Sequence, residues 1–252
     1  MRARLQRRPG AVVLTGALSA TLAAWNNVVV PRTPGYPGSY VPVNATATGV
    51  VLVAARRAGL TAAELGLSRR RVPAGLRWGG RCSALVTAGY GTALVVPVLR
   101  PLLRDGRLEG LDGADLVGQV LVRIPLGTVL WEEVAFRGVL LASLLRLLSP
   151  ASAVAASSVL FGVWHIRPTL EALTTNDLVE SRVATAVTLG CLGTAAAGVL
   201  FAELRLRTGS LAAPLLLHLA ANALGTLAAV ASFRLHRPPV RRRPGHSPPT
   251  RP

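Results

Sequence analysis

Apolar residues in this chain come in long blocks rather than in the alternation of a water-facing strand or the one-sided stripe of a surface helix. Seven blocks stand out, at residues 11–30, 44–60, 83–103, 116–148, 150–166, 183–203 and 210–233. A helix needs about 20 mostly apolar residues to cross a bilayer, and most of the blocks approach or reach that length. The segments between them are polar or rich in turn formers. "PRTPGYPGSYVPV" (31–43) is a Pro/Gly link, "LSRRRVPAGLRWGGR" (67–81) a basic loop, "RDGRLEGLDGAD" (104–115) a solvated turn, and "TLEALTTNDLVESR" (169–182) an acidic loop. The pattern predicts an all-α, polytopic transmembrane helical bundle of about seven or eight spans. Block 116–148 is long enough for two helices or one long one. Block 11–30 reads as an uncleaved first helix rather than a signal peptide, because further apolar blocks follow and no small-x-small cleavage site stands out.

Composition agrees with that class. The 252 residues are 51% hydrophobic and 15% charged, with a mean hydropathy of +0.46, which suits a protein whose solvent is the bilayer. All 28 basic residues are arginines against 11 acids. They concentrate at the N-terminus, in the 67–81 loop and in the C-terminal tail, as expected for contact with anionic lipid headgroups. No aromatic-interleaved basic module accompanies them, so no nucleic-acid partner is expected. Cys82 and Cys191 lie in separate apolar blocks without metal-ligand spacing and are read as packing residues.

The chain divides into N-terminal membrane helices and loops (1–115), a chemistry-bearing region (116–225), and the end of the last helix with an Arg/Pro-rich tail (226–252) that cannot bury a core. Arginine bias places the N-terminus and the Arg69/Arg70/Arg71 loop in the cytoplasm, with the Pro/Gly link and the acidic loop outside. Seven crossings put the tail outside, whereas its own arginines favour the inside.

Ionisable side chains inside apolar blocks are costly enough to mark function. "VLWEEVAFRGVLL" (129–141) holds Glu132, Glu133 and Arg137. Glu133 and Arg137 are four residues apart, on one helix face and in the favourable order for an ion pair. Successive helical residues point about 100° apart, which leaves Glu132 free to project into a cavity. Desolvation there suits a carboxylate to general-base work near neutral pH. "VLFGVWHI" places Phe161 and His165 one turn apart, and "LLLHLAANALG" does the same for His218 and Asn222. An imidazole and a carboxamide one turn apart can both donate to one oxygen, as an oxyanion requires. Taken singly, Glu133 with Arg137 is a structural ion pair, Phe161 a core aromatic and Asn222 a packing contact. Their occurrence together with Glu132 and His165 is what points to a site.

"EEVAFR", "FGVWH" and "HLAAN", in that order, resemble the three motifs Glu-Glu-x-x-x-Arg, Phe-x-x-x-His and His-x-x-x-Asn of the type II CAAX prenyl endopeptidases. Their bacterial relatives form the CPBP or Abi family. The resemblance covers residues 116–225 and implies an intramembrane endopeptidase acting on a membrane-associated peptide or protein. It implies that Glu132 and His165 activate a water, that His218 and Asn222 stabilise the oxyanion, and that Glu133, Arg137 and Phe161 support them. Such a protein would be an integral membrane protein, expected in a bacterial plasma membrane. No cofactor is expected. The alternative is a His₂Glu zinc site of Glu132, His165 and His218; no His-Glu-x-x-His helix supports it, and Asn222 is a poor zinc ligand. Two further functions fit the polar blocks: a non-catalytic peptide-binding or immunity protein, and a proton-coupled transporter. The first has no need of all four polar site residues, and the second lacks the internal symmetry that would support it.

Overall fold

A computed structural model describes residues 9–175 and 182–236, and all of the regular structure among them is helical. The N-terminal arginines, residues 176–181 of the acidic loop and the Arg/Pro-rich tail lie outside the described residues. Helix α1 (Pro9–Ala24) continues through a wider turn, Trp25–Val29, and a tight one, Val30–Arg32. Helix α2 (Tyr40–Arg57) returns, and a loop leads into α3 (Val72–Val95). A single winding helix, α4, then runs over residues 113–145, followed by α5 (Pro150–Trp164), α6 (Ile166–Thr175), α7 (Val183–Thr208) and α8 (Ala212–His236).

Local sequence explains several ends. The Asp112 carboxylate accepts the Asp115 N–H at 2.8 Å to start α4, and Ser149 before Pro150 starts α5 in the same way. Gly209 stops α7 in the left-handed region at φ +67°. Two predicted boundaries move. The basic loop is largely helix, since α3 begins at Val72 and carries Arg77 and Arg81. The predicted acidic loop begins with α6, a helix.

Block 83–103 is not one straight span. The chain turns by 117° between the helix ending at Val95 and the segment Pro97–Leu103, where Pro97 and Pro101 remove backbone donors. By length and composition three helices can cross a membrane, Val12–Arg32, Val183–Thr208 and Ala212–Leu235, or four if the bent pair counts as one. That is fewer than the apolar blocks predicted. Of the predicted blocks, those of α2, α4 and α5 do not pass.

Block 116–148 resolves as one helix with an unusual interior. Over Gln119–Val129 and Glu133–Leu140 it winds with the wider i→i+5 pairing of a π-helix, a geometry frequent at functional sites. Pro125 has no N–H to continue the ladder, and the Leu130 N–H reaches back to the Pro125 carbonyl. Residues 131–144 of α4 are all buried and form the centre of the core: Val134, Ala135, Phe136, Val139, Leu140 and Leu141 pack against Leu22, Leu65, Phe161, Trp164 and Leu211.

Around α4 the other helices pair through small residues. Gly75 and Gly79 of α3 lie against α8, and a Cβ on Gly79 would stand 2.9 Å from the Ala213 carbonyl oxygen. On α5, Gly162 meets the Cys191 carbonyl of α7. One end of the bundle gathers Arg56, Arg57, Arg69, Arg70, Arg71 and Arg146 around the loop 58–71. There the Glu64 carboxylate accepts from Arg146 Nε at 2.8 Å and Nη2 at 2.9 Å, and its backbone carbonyl accepts from buried Arg205 at 2.6 Å. Gly66, at φ +75°, leaves the space that the Arg205 guanidinium fills.

Candidate functional site

Glu132, Glu133 and Arg137 occupy the buried middle of α4, at 3%, 0% and 1% exposure. Burial of this kind demands partners. Arg137 Nη1 donates to Glu133 Oε1 at 3.0 Å, the ion pair expected from the spacing. The guanidinium also lies 3.9 Å from the Phe161 ring centre and 4.9 Å from that of Phe201, so two aromatic faces complete its surroundings.

His218 extends this cluster. Its Nδ1–H donates to Glu133 Oε1 at 2.8 Å, and its Nε2 lies 3.9 Å from Glu132 Oε2. Phe201 stacks on the ring at 5.1 Å. One imidazole is therefore bracketed by both glutamates, although α-helical geometry would turn them apart.

Glu132 Oε1 accepts the Trp164 indole N–H at 3.0 Å, while Oε2 has no hydrogen-bond partner in the protein. Trp164, 0% exposed, was not singled out from the sequence. The available signal was an indole next to His165 in an apolar block, since a buried Trp N–H needs an acceptor. His165 sits at the turn ending α5, with Nδ1 2.7 Å from the Phe161 carbonyl. A carbonyl only accepts, so Nδ1 carries the proton and Nε2 of the neutral ring is left as an acceptor. Phe161 packs edge-on against that ring at 4.5 Å.

Residues 1–115 help hold the site, which the sequence did not disclose. Asn27 Nδ2 donates to the Val163 carbonyl and Asn27 Oδ1 accepts the Arg167 N–H, both at 2.9 Å, pinning the turn that carries His165. Trp25 Nε1 donates to Asn44 Oδ1 at 2.9 Å, and Asn44 Nδ2 donates to the Gly127 carbonyl at 2.8 Å. That chain satisfies a backbone group in the π-wound part of α4.

A cavity of about 690 Å³ opens over this cluster, with Glu132, His165 and Asn222 in its wall. Tyr40, Thr128, Tyr90 and the segment 102–108 also line it. Asp105, expected in a solvated turn, is thus at the cavity, paired with Arg107 at 2.7 Å. The Tyr90 hydroxyl donates to the Ala221 carbonyl at 3.0 Å. Glu133, Arg137, Phe161 and His218 lie behind the wall. Among the described residues no group of three His, Cys, Asp or Glu side chains is placed to hold a metal ion.

Comparison with known proteins adds one match: residues 116–224 fit the family model described as type II CAAX prenyl endopeptidase Rce1-like. No curated protein and no solved structure matches the chain. The matched segment contains every candidate residue from Glu132 to Asn222. With its apolar helices the chain is an integral membrane protein, and its residues 116–224 are similar to the type II CAAX prenyl endopeptidases.

Proposed function

We propose that the protein hydrolyses a peptide bond of a membrane-associated peptide or protein with a water activated by Glu132 and His165. The observation that carries this reading is the meeting of Glu132, His165 and Asn222, from three separate helices, in the wall of one cavity. Glu132 Oε2, which has no hydrogen bond within the protein, takes the water proton. His165 Nε2 accepts from the same water and orients it. Oxygen attacks the scissile carbonyl carbon, and the Asn222 amide donates to the oxyanion. When the C–N bond breaks, Glu132 returns the proton to the amine, leaving a carboxylic acid and an amine. Trp164 holds one oxygen of Glu132 so that the other faces the water. His218 links Glu132 to the Glu133–Arg137 pair and supports the base from behind. No metal takes part in this scheme.

The proposed orientation follows the arginines: the loop 58–71 in the cytoplasm of a bacterial plasma membrane, anionic lipids around it, and the cavity at the opposite end. The test compares native membranes containing wild type or Glu132→Gln by proteomics of membrane-protein fragments. Gln keeps the oxygen that Trp164 needs and loses only the basic group. The expected result is a set of fragments present with wild type and missing with the variant. Equal fragments from both, with equal amounts of folded protein, overturn the reading.

A further inference from the structure

Peptide hydrolysis needs more than one donor for the oxyanion, and the cavity wall holds only one of the two suggested by the sequence. Asn222 lines the cavity, but His218 does not: its Nδ1–H is committed to Glu133 and its Nε2 is turned toward Glu132. The wall does hold another hydroxyl donor. Tyr40, the first residue of α2, lines the same cavity as Glu132 and Asn222, and its hydroxyl is 3.1 Å from Thr128 Oγ1. Thr128 is on α4, about one turn before Glu132.

The ring is held rather than loose. Arg123 lies over it at 4.7 Å from the centre, and the ring also rests on Gly127, where a Cβ would stand 3.0 Å from two ring carbons. Gly127 is fixed in turn by the Asn44 hydrogen bond to its carbonyl. A side chain clamped in this way costs no reorganisation when charge develops nearby, which is the condition for an effective donor. Between the two hydroxyls either oxygen can donate. When Thr128 gives its proton to Tyr40, the phenol O–H is free to point into the cavity. The other cavity tyrosine, Tyr90, has its proton on the Ala221 carbonyl and cannot do the same.

We propose that Tyr40 is a catalytic residue, its hydroxyl donating beside Asn222 to the oxyanion of the tetrahedral intermediate. This rests on the hydrolytic reading above. It places a catalytic group outside the family-matched residues 116–224, on a helix the matched region does not contain. The role is a hydrogen bond only: the phenol keeps its proton throughout, and the proton balance through Glu132 is unchanged.

The experiment uses the full-length protein in native membranes and the peptide bond whose cleavage disappears in Glu132→Gln. Tyr40→Phe keeps the ring between Arg123 and Gly127 and removes one oxygen. The expected result is a fall in kcat of roughly 100- to 1,000-fold, the size usual for loss of one oxyanion donor, with KM changed less than about twofold. A phosphinic peptide of the cleaved sequence, mimicking the tetrahedral intermediate, is expected to bind more weakly to the variant by a similar factor. Thr128→Val removes the tether and leaves the phenol, and its kcat is expected to fall by less than about tenfold. Unchanged kcat in Tyr40→Phe, with Glu132→Gln inactive, overturns the Tyr40 assignment alone. A Thr128→Val loss as large as that of Tyr40→Phe, or a parallel loss of substrate affinity and thermal stability, assigns the effect to α2–α4 packing and also overturns it. Cleavage retained in Glu132→Gln instead overturns the reading on which it rests.

Discussion

Glu133→Gln isolates the charge that keeps Arg137 buried. In the native protein the two side chains are joined at 3.0 Å and are almost completely inaccessible. The introduced glutamine is nearly the same shape and keeps an oxygen for Arg137 Nη1 and for His218 Nδ1–H, so the packing and two hydrogen bonds survive. What disappears is the negative charge. Breaking a buried pair by removing one partner costs about 3–5 kcal/mol. The aromatic faces of Phe161 and Phe201 continue to stabilise the guanidinium, which argues for the lower end, about 3 kcal/mol. At roughly 2–4 °C per kcal/mol for a chain of this size, Tm falls by about 6–12 °C. Glu133→Gln with Arg137→Met removes the charge together with its partner and is expected to recover most of that loss, because an apolar replacement of a buried pair is often neutral. Intrinsic-fluorescence melting in one detergent, on protein purified from equal membrane amounts, measures all three. A single variant melting within about 2 °C of wild type, or a double variant less stable than the single, refutes the reasoning.

Four further outcomes are expected. Gly79→Ala forces α3 off the Ala213 carbonyl and lowers Tm, whereas Gly80→Ala next to it, with open space around its Cβ, leaves Tm level or slightly higher; equal shifts in both would remove the role given to the close helix approach. Burial raises the Glu64 carboxyl pKa, but hydrogen bonds from Thr61 and Arg146 outweigh it and hold the group below its ordinary 4.5. A depressed carboxylate stabilises fully above 4.5, and that part is lost as pH falls through the folded-state value. Glu64→Gln should therefore shrink the Tm difference between neutral and acid detergent solutions, and an unchanged difference counts against this linkage. With Cys82 and Cys191 replaced, an impermeant thiol reagent applied to whole cells is expected to reach a cysteine at Thr175 and miss one at Arg70; the reverse pattern inverts the orientation. Prolonged treatment with a strong chelator is expected to leave cleavage unchanged, and activity lost to chelation and restored by stoichiometric zinc would show a metal mechanism instead.

The bundle class and the chemistry-bearing helices were legible because hydropathy blocks and i, i+4 spacing act locally. Glu133 and Arg137 pair on α4 as that spacing dictates. The bracketing of His218 by two adjacent glutamates was not legible, because it joins residues 85 positions apart in sequence, and neither was the π winding around them. Pro125 was the visible warning that the regular ladder fails nearby. Asn27, Asn44 and Tyr40 were hidden for another reason. Their hydrogen bonds reach partners 83 to 140 positions away in sequence, and single polar residues in an apolar helix give no hint of such distant partners. The 97–103 segment read as part of a span because proline interrupts a helix without removing it from an apolar block.

The cavity and the arginine-rich loop 58–71 occupy opposite ends of the same bundle. On the proposed orientation, the charges that anchor the protein in the cytoplasm commit its peptidase activity to the other compartment. Moving enough arginines across would leave every active-site contact intact and redirect the enzyme to a different population of proteins. On the proposed function and orientation, the set of proteins within reach of Glu132 is decided once, during biosynthesis.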